Sequence, residues 1–202
     1  SFLLRPPVGV ERADRLITVH AKSEDWSTFH AFSYPDYQDL ARAGEKLATL
    51  SAYTILPASV RTGEEPRLEA GVLASASYFT VLGAHPAMGR TFSSEEDQVG
   101  GPQVVVLSHG LWQRCFGADP AVIGKSVLLD DRSHTIVGVL PVGFQFVETY
   151  AIYVPFVMND RAAPVPNQAG GLIVFGLGGP GLSVIGRLKP GIGLAQAQAW
   201  PS

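Results

Sequence analysis

Residues 71–92, GVLASASYFTVLGAHPAMGRTF, run from a strand pattern into a short helix and out again. Residues 68–74 read as a strand. Ser75 or Ser77 then starts a helix carrying Tyr78, Phe79 and Leu82, and Gly83 closes it with Pro86 just beyond. Upstream, residues 16–21 are a strand candidate. Ser33 caps a helix, with Asp36 three positions on, Pro35 in the first turn and Gly44 past the end. Tyr37, Leu40 and Ala41 share one face of it. Residues 50–60 contain Pro57, which predicts an irregular or edge strand, and residues 61–66 make a polar turn. The order β, α, β, β, α begins a split βαβ unit that needs one more strand.

Downstream, residues 103–107 form a β-branched run, and Ser108 caps a helix whose apolar stripe is Leu111, Trp112, Cys115 and Phe116, ending at Gly117. Asp119-Pro120 opens a turn. Residues 126–129 and 134–140 then flank Asp130-Asp131-Arg132-Ser133, which predicts a hairpin with a four-residue loop. Residues 150–156 are a further strand. Residues 159–168 read as a long loop, and 170–181 as a flexible glycine-rich stretch around an apolar patch at 172–175. Residues 182–188 form a strand, Lys189-Pro190-Gly191 a turn, and 194–200 a helix that Pro201 stops, as in a chain cut short. The expected fold is α+β with two subdomains. A split βαβ, porter-like subdomain takes residues 1–88 plus 182–202, and a β-rich one takes the inserted residues 89–181.

Two hundred and two residues suffice for one large or two small domains. Charged residues are 16% of the chain, against roughly 25% in an average soluble domain, and the mean hydropathy is +0.17. A surface that meets a membrane or another subunit accounts for this, as does simple enrichment in Ala, Val and Gly. The net charge of −3 argues against a nucleic-acid partner, which demands a basic face. Cys115 is the only cysteine, so no intrachain disulfide can form, and its aromatic neighbours suit a buried, inert thiol. No run approaches the roughly eighteen apolar residues that span a bilayer, and no signal peptide opens the chain. The start, Ser1-Phe2-Leu3-Leu4-Arg5-Pro6, reads like the last turn of a transmembrane helix.

The search for chemistry finds no catalytic, cofactor-binding or metal residues. Gly176, Gly178 and Gly181 spell a dinucleotide pattern, but the β-like residues after them offer no helix N-terminus for a pyrophosphate. His20, His30, His85, His109 and His134 lack the close spacing of a zinc site. Ser108 beside His109 lacks the G-x-S-x-G elbow and suits a helix cap. Glu95-Glu96-Asp97 lacks the alternating ligands of a calcium loop, and the doublets Glu64-Glu65 and Asp130-Asp131 fall in turns. Gly124-Lys125-Ser126 resembles the end of a phosphate-binding loop, but Asp119 stands where its first glycine belongs.

Six blocks, in order, cover nearly the whole chain. They are Tyr34-Pro35-Asp36-Tyr37, residues 73–92, residues 105–117, the D-P-x-V-I-G-K segment 119–125, the V-G-V-x-P-x-G-F segment 137–144, and G-R-L-K-P-G at 186–191. Together they resemble the MacB-like periplasmic core domain of FtsX-like ABC transporter permeases. Ala74, where that pattern has valine, is a minor departure. The resemblance implies a non-enzymatic domain, without cofactors, on the outer face of the cytoplasmic membrane. Its implied partners are membrane spans of the same polypeptide on both sides of this segment, a cytoplasmic ATPase acting indirectly, and a periplasmic adaptor or outer-membrane protein, with dimerisation confined to the full-length transporter. It would couple permease motion to export or partner contact. A ligand- or cell-wall-sensing module that regulates a partner enzyme is the alternative.

Overall fold

The computed structural model describes residues 8–20, 32–63, 65–98, 100–146, 150–156, 165–166, 172–173, 175–176 and 179–199. A 3-10 turn at Ala13–Arg15 leads into β1 (Leu16–Val19), α1 (Tyr34–Ala43), β2 (Ala48–Arg61), β3 (Arg67–Ala74), α2 (Tyr78–Leu82) and β4 (Met88–Gly89). Then come β5 (Val104–Leu107), α3 (His109–Phe116), a 3-10 turn at Pro120–Val122, β6 (Ser126–Leu129), β7 (Arg132–Val139) and β8 (Ile152–Pro155). Four two-residue strands follow: β9 (Val165–Pro166), β10 (Leu172–Ile173), β11 (Phe175–Gly176) and β12 (Gly179–Pro180). The last elements are β13 (Ser183–Leu188) and α4 (Leu194–Gln198).

Strand β2 organises the sheet. Its first half, 48–53, pairs with β13, which in turn pairs with β1. Its second half pairs with β3 from Tyr53 to Val60, and Val60 and Arg61 also meet β6. From β3 the pairing passes to β8, β5, β7 and β6, and so back to β2. Six strands therefore close into a ring, and β13 and β1 extend from it as a wing. The ring draws on both expected segments, β2 and β3 from one and β5 to β8 from the other.

Alternating residues divide the apolar side chains between two core layers. Leu73, Val105, Leu107, Ile136, Ile152, Val154, Val127, Leu129 and Val60 pack together on one face, with Leu111 of α3 and Tyr37 of α1. The neighbours Val72, Ala74, Val104, Val106, Val137 and Tyr153 point to the other face, where Tyr78, Phe79, Phe92, Phe144 and Phe146 join them. The second layer is an aromatic cluster, with ring centroids of Phe79 5.3 Å from Phe92 and 5.5 Å from Tyr153. Burial of this kind, about 25 cal/mol per Å² of apolar surface, is the main force holding the layers to the sheet.

One expectation is sharpened and one corrected. The segment around Pro57 is the middle of a regular 14-residue strand, paired with β3 from Tyr53 to Val60 but open on its other side between the β13 and β6 pairings, so the strand is an edge only locally, at the proline. The proline is tolerated because of where it stands. Ser59 N–H points toward β6, donating to Asp130 Oδ1 at 2.9 Å, and a residue two positions away presents its nitrogen to the same side. On that side β13 has ended at Tyr53 and β6 begins only at Val60, so no ladder bond is lost. The β6–β7 hairpin, secondly, turns on two residues. Leu129 pairs with Arg132, leaving Asp130 and Asp131 at φ of 50° and 63°, both in the left-handed region that a two-residue primed turn requires.

Local signals at the helices read true. Ser33 Oγ accepts from Asp36 N–H at 3.3 Å while the Asp36 carboxylate accepts from Ser33 N–H at 2.9 Å, a capping box. Gly83 and Gly117 close α2 and α3 at φ of 63° and 59°. The expected loop at 159–168 and the glycine-rich stretch 170–181 fall largely outside the described residues, as do residues 1–7 and 200–202.

Gly138 marks the tightest approach of backbones. A Cβ there would stand 2.1 Å from the carbonyl oxygen of Arg90. Gly138→Ala is expected to destabilise the fold by about 2 kcal/mol or more, read as a lowered urea midpoint. Gly63→Ala, which has no atom within 4 Å of the added carbon, should leave the midpoint nearly unchanged.

Candidate functional site

The residues that could carry chemistry are mostly engaged in holding the backbone. Ser108 Oγ accepts from Leu111 N–H at 3.1 Å as the cap of α3. Its neighbour His109 turns away and sets its ring edge-on against Trp112, centroids 5.2 Å apart. Trp112 donates its indole N–H to Asp119 O at 2.8 Å. The Asp119 carboxylate caps the following turn through Ala121 N–H and holds Lys125 Nζ at 2.6 Å. The lysine that resembled a phosphate ligand is thus tied across the turn. Cys115 is only half-buried, less enclosed than its neighbours suggested, and packs against the first core layer.

The acidic cluster stitches three elements together. Glu96 accepts from both terminal nitrogens of Arg90, at 2.7 and 2.8 Å, and from Ser93 N–H at 2.8 Å. Those bonds to Arg90 hold its carboxyl below the ordinary glutamate range. Asp97 accepts from Ala76 N–H at 2.8 Å and from Phe156 N–H at 3.1 Å, joining the start of α2 to the end of β8. Asp130 and Asp131 hold Ser59 and Arg61 of β2. Among the described residues His20, His85, His109 and His134 do not converge, and no group of three His, Cys, Asp or Glu could hold a metal ion. His30, Glu64 and Gly178 lie outside the described residues.

Sequence reasoning missed two constellations. The first is a buried hydroxyl network. Ser75 Oγ lies 2.8 Å from Ser51 Oγ, 3.1 Å from Ser77 Oγ and 3.1 Å from Tyr37 Oη. It also accepts from Ala52 N–H at 3.2 Å, while Ser77 Oγ donates to Leu50 O at 2.7 Å. Among the described residues no histidine or lysine joins the network, and its bonds pin α1 and α2 to β2. The second is Arg187 in β13. Its Nε donates to Val81 O at 2.6 Å, and its terminal nitrogens reach the carbonyls of Arg12 and Glu11. One guanidinium thus ties the segment entering β1, the end of α2 and the last long strand. The only local hint was an arginine inside the G-R-L-K-P-G block.

Near the ring, Arg61, Thr62, Phe116 and Val127 border an open depression of about 280 Å³, too exposed to enclose a ligand. What the arrangement does is mechanical: it fixes helices and turns to a shared sheet.

The family model described as "MacB-like periplasmic core domain" matches residues 7–200. The fold is similar to the periplasmic region of MacB from Actinobacillus actinomycetemcomitans, with a TM-score of 0.65 at 19% identity over 94% of this chain and 81% of that one. It is similar to the extracellular domain of the noncanonic ABC-type transporter YknZ from Gram-positive bacteria, with a TM-score of 0.63 at 18% identity over 91% of this chain and 86% of that one. A domain of a putative permease protein from Porphyromonas gingivalis gives 0.60 at 16% identity, over 91% and 79% of the two chains. The comparison with curated proteins finds no match.

His134 sets a dependence on pH. Burial holds its imidazole below the ordinary histidine range, so below about pH 6.5 the unfolded chain binds more protons than the folded one and stability drops as pH falls. Chemical denaturation between pH 7 and pH 5 should show this drop, and His134→Asn should flatten it. At lower pH, protonation of Glu96 removes the stability of its bonds to Arg90. Glu96→Gln should therefore be less stable at pH 7 and lose less on acidification from pH 5 to pH 3.

Proposed function

The chain belongs to the MacB-like periplasmic core domain family of ABC transporter permeases, and from that premise we propose that it is a non-catalytic lever coupling permease motion to export or partner contact. It stands outside the cytoplasmic membrane on spans of its own polypeptide, with the ATPase acting on it through those spans and an adaptor or outer-membrane protein receiving the motion. Residues 1–88 with 182–202 form its porter-like part, and residues 89–181 the inserted part that rides on β2 and β3.

The observation that carries this reading is the junction at the wing. The first described strand, β1, lies against β13, with Leu16 opposite Arg187 and Val19 opposite Val184, and Arg187 grips both the incoming segment and α2. Displacement of either chain root is thus delivered to one edge of one sheet. β2 carries it into the ring, because a close-packed interior transmits strain rather than absorbing it.

Asp131, at the hairpin tip with its side chain 79% exposed, offers a place for a probe. In a Cys115→Ser background of the full-length permease, Asp131→Cys should react with a membrane-impermeant maleimide in intact cells. Reaction only after lysis would overturn the assigned side of the membrane. Spin labels at Asp39→Cys and Asp131→Cys within one domain should keep their separation when ATP binds, while the distance between positions 131 of paired subunits changes. A nucleotide-invariant distance between subunits would defeat the coupling role.

A further inference from the structure

Five cations gather at one end of the wing. β1 begins at Leu16 opposite Arg187, and β13 ends at Leu188 opposite Ala48, where β2 begins. Residues 11–15, 45–47 and 187–189 therefore surround the same three strand ends, and Lys189 N–H donates to Leu47 O at 2.8 Å across them. These stretches hold Arg12, Arg15, Lys46, Arg187 and Lys189 against Glu11, Asp14 and Glu45. Five cations against three carboxylates leave an excess of two positive charges in a chain of net charge −3, so the remainder carries −5.

The excess is held in place without being neutralised. Arg15 donates to the Leu188 carbonyl, and Arg187 to the carbonyls of Val81, Arg12 and Glu11. Carbonyls orient a guanidinium but do not cancel its charge. Among the described residues no carboxylate forms an ion pair with any of the five cations. Burial, and then the Arg15 charge beside it, push the Arg187 guanidinium below its ordinary range. Arg12, Lys46 and Lys189 are exposed. Just past them, beyond the turn in which Ile192 N–H donates to Lys189 O, Leu194 is 56% exposed. Cations beside a bare leucine suit a surface that rests at a bilayer interface. We propose that this end of the wing docks on the anionic phospholipid headgroups of the membrane from which the domain projects. This rests on reading the domain as part of a membrane permease. On that reading the segment entering at Val8 comes from the membrane, and Arg12 follows it by four residues, about 14 Å of extended chain at most. The negative remainder is repelled by the same headgroups, so the charge distribution itself sets which end goes down. Docking gives the lever a resting position that permease motion must lift.

The test uses the full-length permease, in a Cys115→Ser background, reconstituted into bilayers of phosphatidylcholine with or without phosphatidylglycerol. A fluorophore at Ala43→Cys, an exposed position beside the cluster, is read for quenching by a lipid carrying a nitroxide on its headgroup. Quenching should be strong with phosphatidylglycerol and weak without it. It should fade as salt rises from about 0.1 M to about 0.5 M, because screening shortens the reach of the charges. Arg12→Gln, Lys46→Gln and Lys189→Gln should each shift the docked equilibrium roughly fivefold toward the free state, and together bring quenching to the phosphatidylcholine level. A fluorophore at Asp131→Cys should stay unquenched throughout. Equal quenching at position 43 in both lipids, quenching indifferent to salt, or quenching that survives the triple substitution in a protein of unchanged urea midpoint would each overturn the proposal. So would capture of an acidic protein that the triple substitution abolishes while lipid charge has no effect, since the cluster would then serve that protein. If the triple variant fails to fold, the lipid and salt dependence of the unsubstituted cluster decides alone. Maleimide labelling of position 131 from outside the cell, and the nucleotide-dependent distance between subunits, do not depend on lipid charge, so failure here and failure of the lever reading are told apart.

Discussion

The whole structure depends on one strand serving two parts of one sheet. β2 holds the wing with its first half and the ring with its second, and its neighbour changes from β13 to β6 on the same side between Tyr53 and Val60. A strand interior normally excludes proline because each residue owes the ladder a hydrogen bond. At Pro57 no neighbour asks for one, so the residue that cannot donate sits in the gap where the wing ends and the ring begins. A displacement of the wing reaches the ring through continuous backbone, with no intervening loop.

Buried polar groups then attach the helices to that strand. The hydroxyls of Ser51, Ser75, Ser77 and Tyr37 satisfy one another and the backbone at Leu50 and Ala52. In a low-dielectric interior a satisfied network of this sort is directional and costly to break. Apolar packing alone would let α1 and α2 slide over the sheet, whereas the hydroxyls specify where they sit. Arg187 plays the equivalent part at the wing, meeting the Val81 carbonyl at the end of α2, one of the acceptors a helix terminus leaves without an internal partner. The blocks that define the family are therefore legible as mechanics. Gly138 admits the Arg90 backbone, the serine after Ala74 sits at the centre of the hydroxyl network, and the arginine of G-R-L-K-P-G closes the wing.

Where sequence reading succeeded, the determining physics was local. The capping box at Ser33, the stops at Gly83 and Gly117, and the cap at Ser108 involve residues within one helical turn of each other. Where it failed, the partner lay far along the chain. Pro57 looked disruptive because the gap beside it depends on residues about 70 and 130 positions away. The two-residue turn at Asp130 and Asp131 looked longer because register is decided by pairing partners across the ladder. Arg187 drew no reading of its own because the carbonyls it serves stand at Glu11, Arg12 and Val81.

By itself the sequence determined which residues turn, cap and alternate, and through its ordered blocks the family. Those properties live in backbone preferences and short-range hydrogen bonds. Only the tertiary structure decided that the strands close into a ring with an attached wing, that the acidic residues serve as ties, and that Arg187 closes the wing. Closure and pairing are long-range choices. They are settled by which apolar faces and backbone edges can be satisfied together, and no window of sequence contains both partners.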